Sequence, residues 1–225
     1  MTGARWWHLL TAAVSGSALV LQLAIVLASD NDTAIVRLVR LLSFFTIQSN
    51  IIVTAVALTL VIRPDRDGQL WQIARLAALV CITVTGIVYV TVLRGLVELT
   101  PAGRVADTGL HYLTPLLVVV GWLAFGPRPR IGVRVIVATM LYPALWLAYT
   151  LSRGELTDEY PYPFVDVTAE GYAAVALNCV VVTALFLAVA GIYLWLDTRL
   201  RAAPSSPAGP RATPARRRGR RPSRR

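Results

Sequence analysis

Lysine is absent from this chain; all 22 basic residues are arginine. Cysteine and histidine occur twice each. Cys81 and Cys179 sit far apart inside apolar stretches, with no Cys-x-x-Cys pair and no His/Cys cluster. That pattern argues against a disulfide framework or a zinc site and favours two buried free thiols. His8 and His111 are too few for a histidine-rich metal centre, so neither metal nor cofactor is expected. Charge is scarce as well. Only 15% of the residues are charged, where a soluble domain has about a quarter.

What replaces charge is apolar sequence. Hydrophobic residues make up 56% of the chain, and the mean hydropathy is +0.62. A helix needs about 20 mostly apolar residues to cross a bilayer. Six segments meet that requirement: Trp6–Ala28, Arg40–Ile62, Leu70–Leu93, Gly109–Phe125, Ile131–Leu151 and Gly171–Leu196. Charged residues, Pro and Gly gather between them, as in Arg63-Pro64-Asp65-Arg66-Asp67-Gly68. Lipid offers the backbone no hydrogen-bond partners, so these segments are read as helices. The expected fold is an all-α integral membrane bundle of about six transmembrane helices. Residues 1–198 form the transmembrane domain and residues 199–225 an Arg-rich tail. The first segment is read as a retained span rather than a signal peptide, because its apolar run is long and Arg5 is its only basic flank.

Arginine placement gives a direction. With the tail inside, 17 of the 22 arginines lie inside, and nine of the twelve acids lie outside. Both termini are then cytoplasmic, in a multi-pass protein of the cell membrane. The tail itself is Pro, Ser, Ala and Arg with almost no large apolar residue, so it cannot build a core. It reads as disordered and as attracted to anionic lipid headgroups. Without aromatic interleaving, it carries no signal for a specific nucleic acid.

Polar residues inside apolar spans are costly, and they point to function. In the second span Ser43, Thr46, Asn50 and Thr54 fall on one helical stripe, with Gln48 and Ser49 between them. Tyr89, His111, Tyr149 and Asn178 belong to four other spans, and all are expected in the outer half of the bilayer. A threonine hydroxyl becomes a nucleophile when a base takes its proton, and histidine is suited to that task. Thr46 and His111 are therefore the candidate catalytic pair. Gln48, Ser49, Asn50, Tyr89 and Asn178 are candidates for the pocket or for oxyanion donors. The loop Tyr160-Pro161-Tyr162-Pro163-Phe164-Val165-Asp166 before the last span is the other dense feature. Tyr162, Pro163 and Phe164 are read as an outer-side lid, with Asp166 orienting His111. The same residues also fit interhelical hydrogen bonding and an interfacial anchor.

The run FFTIQSN, the segment LHYLTPLL with its histidine, and YPYPFVDV before the last span together resemble the bacterial Pr-six-Pr family of membrane proteins. More distantly they resemble the androgen-induced-gene family of eukaryotic membrane proteins. The likeness runs in matching order from the first span to about Leu196. The second family implies an intramembrane threonine hydrolase acting on fatty acid esters of hydroxy fatty acids. It places the nucleophile at Thr46, the partner at His111, and the Tyr-Pro-Phe of its last loop at Tyr162, Pro163 and Phe164. The eukaryotic pattern has Asn or Asp three residues after the threonine. Here that position is Ser49, and Asn50 follows it. A lipid-ester hydrolase is thus the leading functional expectation. A non-enzymatic lipid or small-molecule binder or transporter, and a structural membrane partner, are the alternatives.

Overall fold

The structure is a computed structural model and describes residues 2–126 and 131–200. The readings of the tail, both its disorder and its attraction to anionic headgroups, fall outside these residues beyond Leu200. The described chain is all-helical, with α1 Gly3–Ala28, α2 Ala34–Ser43, α3 Phe45–Ile62 and α4 Gln69–Val88. There follow α5 Pro101–Thr108, α6 Thr114–Phe125, α7 Val133–Thr157, α8 Val167–Glu170 and α9 Tyr172–Arg199. Two π turns interrupt this order. Tyr89–Leu93 extends α4, and Gly109–Leu113 joins α5 to α6. Among the described residues, six helical stretches are long and apolar enough to cross a membrane, as the sequence implied.

α4 is the centre of the bundle. Residues 76–82 are all buried, which is the signature of a helix covered on every side. α3, α6, α7 and α9 pack on it. α1 lies on the other side of α3 and also meets α5 and α6. The outward faces are apolar: Leu70, Leu116, Val137, Leu145 and Val181 are all well exposed. An apolar girdle of that extent would be an aggregation liability in water and is the expected surface in lipid.

Two boundaries differ from the sequence reading, and both matter for the site. The second span does not begin at Arg40. The helix breaks at Phe44, whose backbone is extended (φ −70°, ψ 126°), and restarts at Phe45. α2 is thus a separate amphipathic helix, and Thr46 is the second residue of α3. The fourth span starts at Pro101 rather than Gly109. Thr100 accepts the Gly103 N–H as an N-cap, and proline occupies the first helical position, where its missing N–H costs nothing. His111 therefore lies well inside its span, about 15 Å from the helix start at 1.5 Å per residue. It also lies within a π turn, where the Thr114 N–H reaches back five residues to the Gly109 carbonyl. Gly109 makes this placement sterically feasible: a Cβ there would stand 2.6 Å from Ala18 Cβ on α1.

Candidate active site

Four side chains from three spans form a continuous hydrogen-bonded chain. Thr46 Oγ1 is 3.2 Å from His111 Nε2. His111 Nδ1 is 2.9 Å from Asp107 Oδ1. Asp107 Oδ2 accepts the Tyr89 hydroxyl at 2.6 Å. Tyr89 also stacks on the imidazole, with ring centroids 3.9 Å apart and planes 14° from parallel. A carboxylate on Nδ1 makes that nitrogen the protonated one, leaving Nε2 bare to accept the threonine proton. Both π turns serve this contact, since Tyr89 opens one and His111 lies in the other. Such turns shift the helical phase locally and recur at functional sites.

The break at Phe44 gives Thr46 a second property. The first N–H groups of a helix lack intrahelical partners, and the helix dipole adds positive potential there. The Thr46 N–H finds the Tyr162 hydroxyl instead, at 3.1 Å. That hydroxyl also lies 3.2 Å from Thr46 Oγ1. A single proton arrangement satisfies the cluster. Thr46 N–H donates to the Tyr162 oxygen, Tyr162 O–H to Thr46 Oγ1, and Thr46 O–H to His111 Nε2. Burial pushes the Tyr162 phenol up, which keeps it a donor.

Tyr162 is held by a strap between α7 and α9. Asp158 turns the chain with a left-handed backbone (φ 55°). Glu159 then accepts from Arg40 on α2 and from Arg153 on α7. These arginines hold its carboxyl down, to about 2. The Tyr160 ring lies on Gly154, where a Cβ would be 2.0 Å away. Tyr162 packs edge-on to Phe44 and parallel to Phe164. Asn178 Nδ2 donates to the Phe164 carbonyl at 2.9 Å, fixing the strap to α9.

Two cavities meet at this point. One, of about 440 Å³, is apolar and lies between α7 and α9, lined by residues such as Met140, Pro143, Leu147, Cys179, Val182 and Phe186. α7 and α9 each pack on α4 but scarcely touch one another. The other, of about 500 Å³, is a more polar vestibule lined by Arg37, Arg40, Asp107, His111 and Pro161 among others. Thr46, Leu93 and Tyr162 line both.

Several sequence-assigned residues lie elsewhere. Asp166 is not on His111; it caps α8, accepting the Thr168 and Ala169 N–H groups. The carboxylate on His111 is Asp107, one helical turn earlier, a spacing visible in the sequence. Gln48 points toward α7, accepting the Tyr142 hydroxyl and donating to the Leu42 carbonyl. Asn50 Nδ2 is used by the Thr46 and Leu110 carbonyls, and its Oδ1 accepts from Ser15. It braces three helices rather than facing a cavity. Ser49 Oγ is buried without a partner. Tyr89 orients Asp107, and Asn178 holds the strap. Ser43 belongs to α2 and bonds Tyr149, so the stripe from Ser43 to Thr54 is divided at the break. Both cysteines are free, and no group of three or more His, Cys, Asp or Glu side chains fit to hold a metal occurs among the described residues. No protein-family profile, curated protein or solved structure matches this chain.

Proposed function

We propose that this chain is a membrane-embedded ester hydrolase with Thr46 as nucleophile, His111 as general base and Asp107 as the residue that orients it. The observation that supports this reading is the unbroken Thr46–His111–Asp107 chain where two cavities meet. Nucleophile, base and orienting acid in that order are the recurring logic of acyl transfer. The apolar cavity suits an acyl chain arriving from lipid between α7 and α9. The arginine balance assigns the strap end of the bundle to the outer side of the cell membrane.

In this reading Thr46 Oγ1 attacks the ester carbonyl while its proton passes to His111 Nε2. The tetrahedral adduct collapses by breaking the bond to the alcohol oxygen, which leaves with that proton. Water then attacks the acyl-Thr46 ester, again giving a proton to Nε2. Collapse returns it to Thr46 and releases the acid. The Thr46 N–H at the start of α3 and the Tyr162 hydroxyl, which in the free protein are bonded to one another, the hydroxyl also to Thr46 Oγ1, are the donors that would turn to the oxyanion.

The test is labelling of intact membranes with a fluorophosphonate probe that esterifies activated hydroxyls. The wild-type chain should label, and Thr46→Ala and His111→Ala should not. Labelling that persists in Thr46→Ala overturns the assignment of the nucleophile, and absence of labelling in folded wild type overturns the hydrolase reading and favours a non-catalytic lipid binder.

A further inference from the structure

Leu110 has a carbonyl that its own helix does not satisfy. It stands in the π turn, where the Thr114 N–H is given to Gly109. The residue that would serve Leu110 in the same pattern, five places on, is Pro115, which has no N–H. Leu110 is only 3% exposed, and a buried carbonyl needs a partner. That partner comes from another span. Asn50 Nδ2 donates to the Leu110 carbonyl at 3.3 Å and, with its second proton, to the Thr46 carbonyl at 2.9 Å. The neighbours of Asn50 fix which way its amide faces. Fully buried Ser15 donates to Asn50 Oδ1 at 3.1 Å, and Thr54 donates to Ser15 at 3.0 Å. Turning the amide over would set its oxygen against two carbonyl oxygens. Asparagine is the shortest side chain with two donors on one atom, which is what this position requires.

The two carbonyls that Asn50 joins flank the candidate catalytic pair. One belongs to Thr46 itself. The other belongs to the peptide group that leads into His111. We propose that Asn50 is a positioning residue, tying α3 to the π turn at the separation that keeps Thr46 Oγ1 within 3.2 Å of His111 Nε2. That distance is at the long end of the ordinary range, so little movement is needed to lose the bond. Without Asn50 the Leu110 carbonyl would be a buried orphan, and the π turn carrying His111 would shift to find a donor. This deepens the hydrolase reading and rests on it for the roles of Thr46 and His111.

The test reads the Thr46–His111 bond directly. The chain has two histidines, so full-length protein labelled with ¹⁵N in its imidazoles gives two sets of resonances, and His8→Gln identifies those of His111. Spectra are taken in lipid nanodiscs at alkaline pH, above the ordinary histidine range. A bare ring nitrogen moves downfield when it loses an incoming hydrogen bond, and Thr46→Val supplies the reference for that loss at Nε2. Asn50→Ala should move the His111 Nε2 resonance toward the Thr46→Val position. Asn50→Ser carries the same test if Ala impairs folding, since a serine bonds the carbonyl one turn back and is too short to reach Leu110. Tyr193→Phe, which removes the Thr83–Tyr193 bond between α4 and α9, should leave the resonance in place. In hydrolysis of a long-chain p-nitrophenyl ester, Asn50→Ala should lower kcat roughly ten- to a hundredfold, the cost of about 1 Å of misplacement, with KM little changed. An unmoved resonance in folded Asn50→Ala and Asn50→Ser overturns the proposal, as does an unchanged kcat. A moved resonance in a chain that neither hydrolyses esters nor labels with the fluorophosphonate supports the tie between the two residues and overturns the hydrolase reading alone.

Discussion

Replacing Asp107 by Asn removes one negative charge and adds an N–H₂ where the His111–Asp107–Tyr89 chain requires an acceptor. Asp107 now accepts from His111 at 2.9 Å and from Tyr89 at 2.6 Å. An amide can accept only one of these bonds through its oxygen. If its nitrogen faces His111 Nδ1, the imidazole must carry its proton on Nε2, and Thr46 loses its base. Hydrogen bonds to a charged group contribute about 1.5–3 kcal/mol each. Losing one of them together with the preferred tautomer raises the barrier by about 3–5 kcal/mol, or roughly 10²–10⁴ in kcat. KM should change less than kcat, because the orienting role of Asp107 acts through His111. The assay is hydrolysis of a long-chain p-nitrophenyl ester by purified protein, with thermal melting to confirm folding. Asp166→Ala is the control. It removes the α8 cap, at a cost of about 1 kcal/mol, and should leave the rate within about threefold. A folded Asp107→Asn protein with the wild-type rate would refute the assignment of Asp107.

Two further outcomes test the scaffold. Gly109→Ala should destabilise the protein by about 1–3 kcal/mol through overpacking, since its Cβ would stand 2.6 Å from that of Ala18. The double variant Gly109→Ala/Ala18→Gly should recover most of the lost melting temperature, and failure to recover would mean the contact is not the cause. The strap is predicted to be insensitive to mild acid. Glu159 has its carboxyl depressed from 4.5 to about 2, first by its hydrogen bond from Arg40 and then by that from Arg153. A depressed carboxyl contributes stability that is fully present above 4.5 and lost as pH falls through about 2. Hydrogen exchange of the strap amides, corrected for intrinsic rates, should be constant from pH 7 to 5 and quicken only below about 4.5. Quickening between pH 7 and 5 would contradict the Arg40–Glu159–Arg153 arrangement.

The sequence by itself determined the six apolar helices, because hydropathy is a local sum that lipid selects for whatever the neighbours are. It also singled out Thr46 and His111, since hydroxyls and imidazoles are conspicuous among Leu and Val. Asp107 was legible too, four residues before His111, but the denser acids near the strap drew the assignment to Asp166. Other features belonged to the tertiary structure. The break at Phe44 has no Pro or Gly to announce it; Phe45 packing on Tyr142, Trp146 and Phe186 accompanies it. The two π turns change the phase of Tyr89 and His111 relative to any 3.6-residue projection. Tyr162 meets Thr46 across 116 residues. The unpaired hydroxyl of buried Ser49 is a property of what surrounds it. A residue's lack of partners can be read only when all its neighbours are in place, because burial and pairing are sums over contacts distant in the chain.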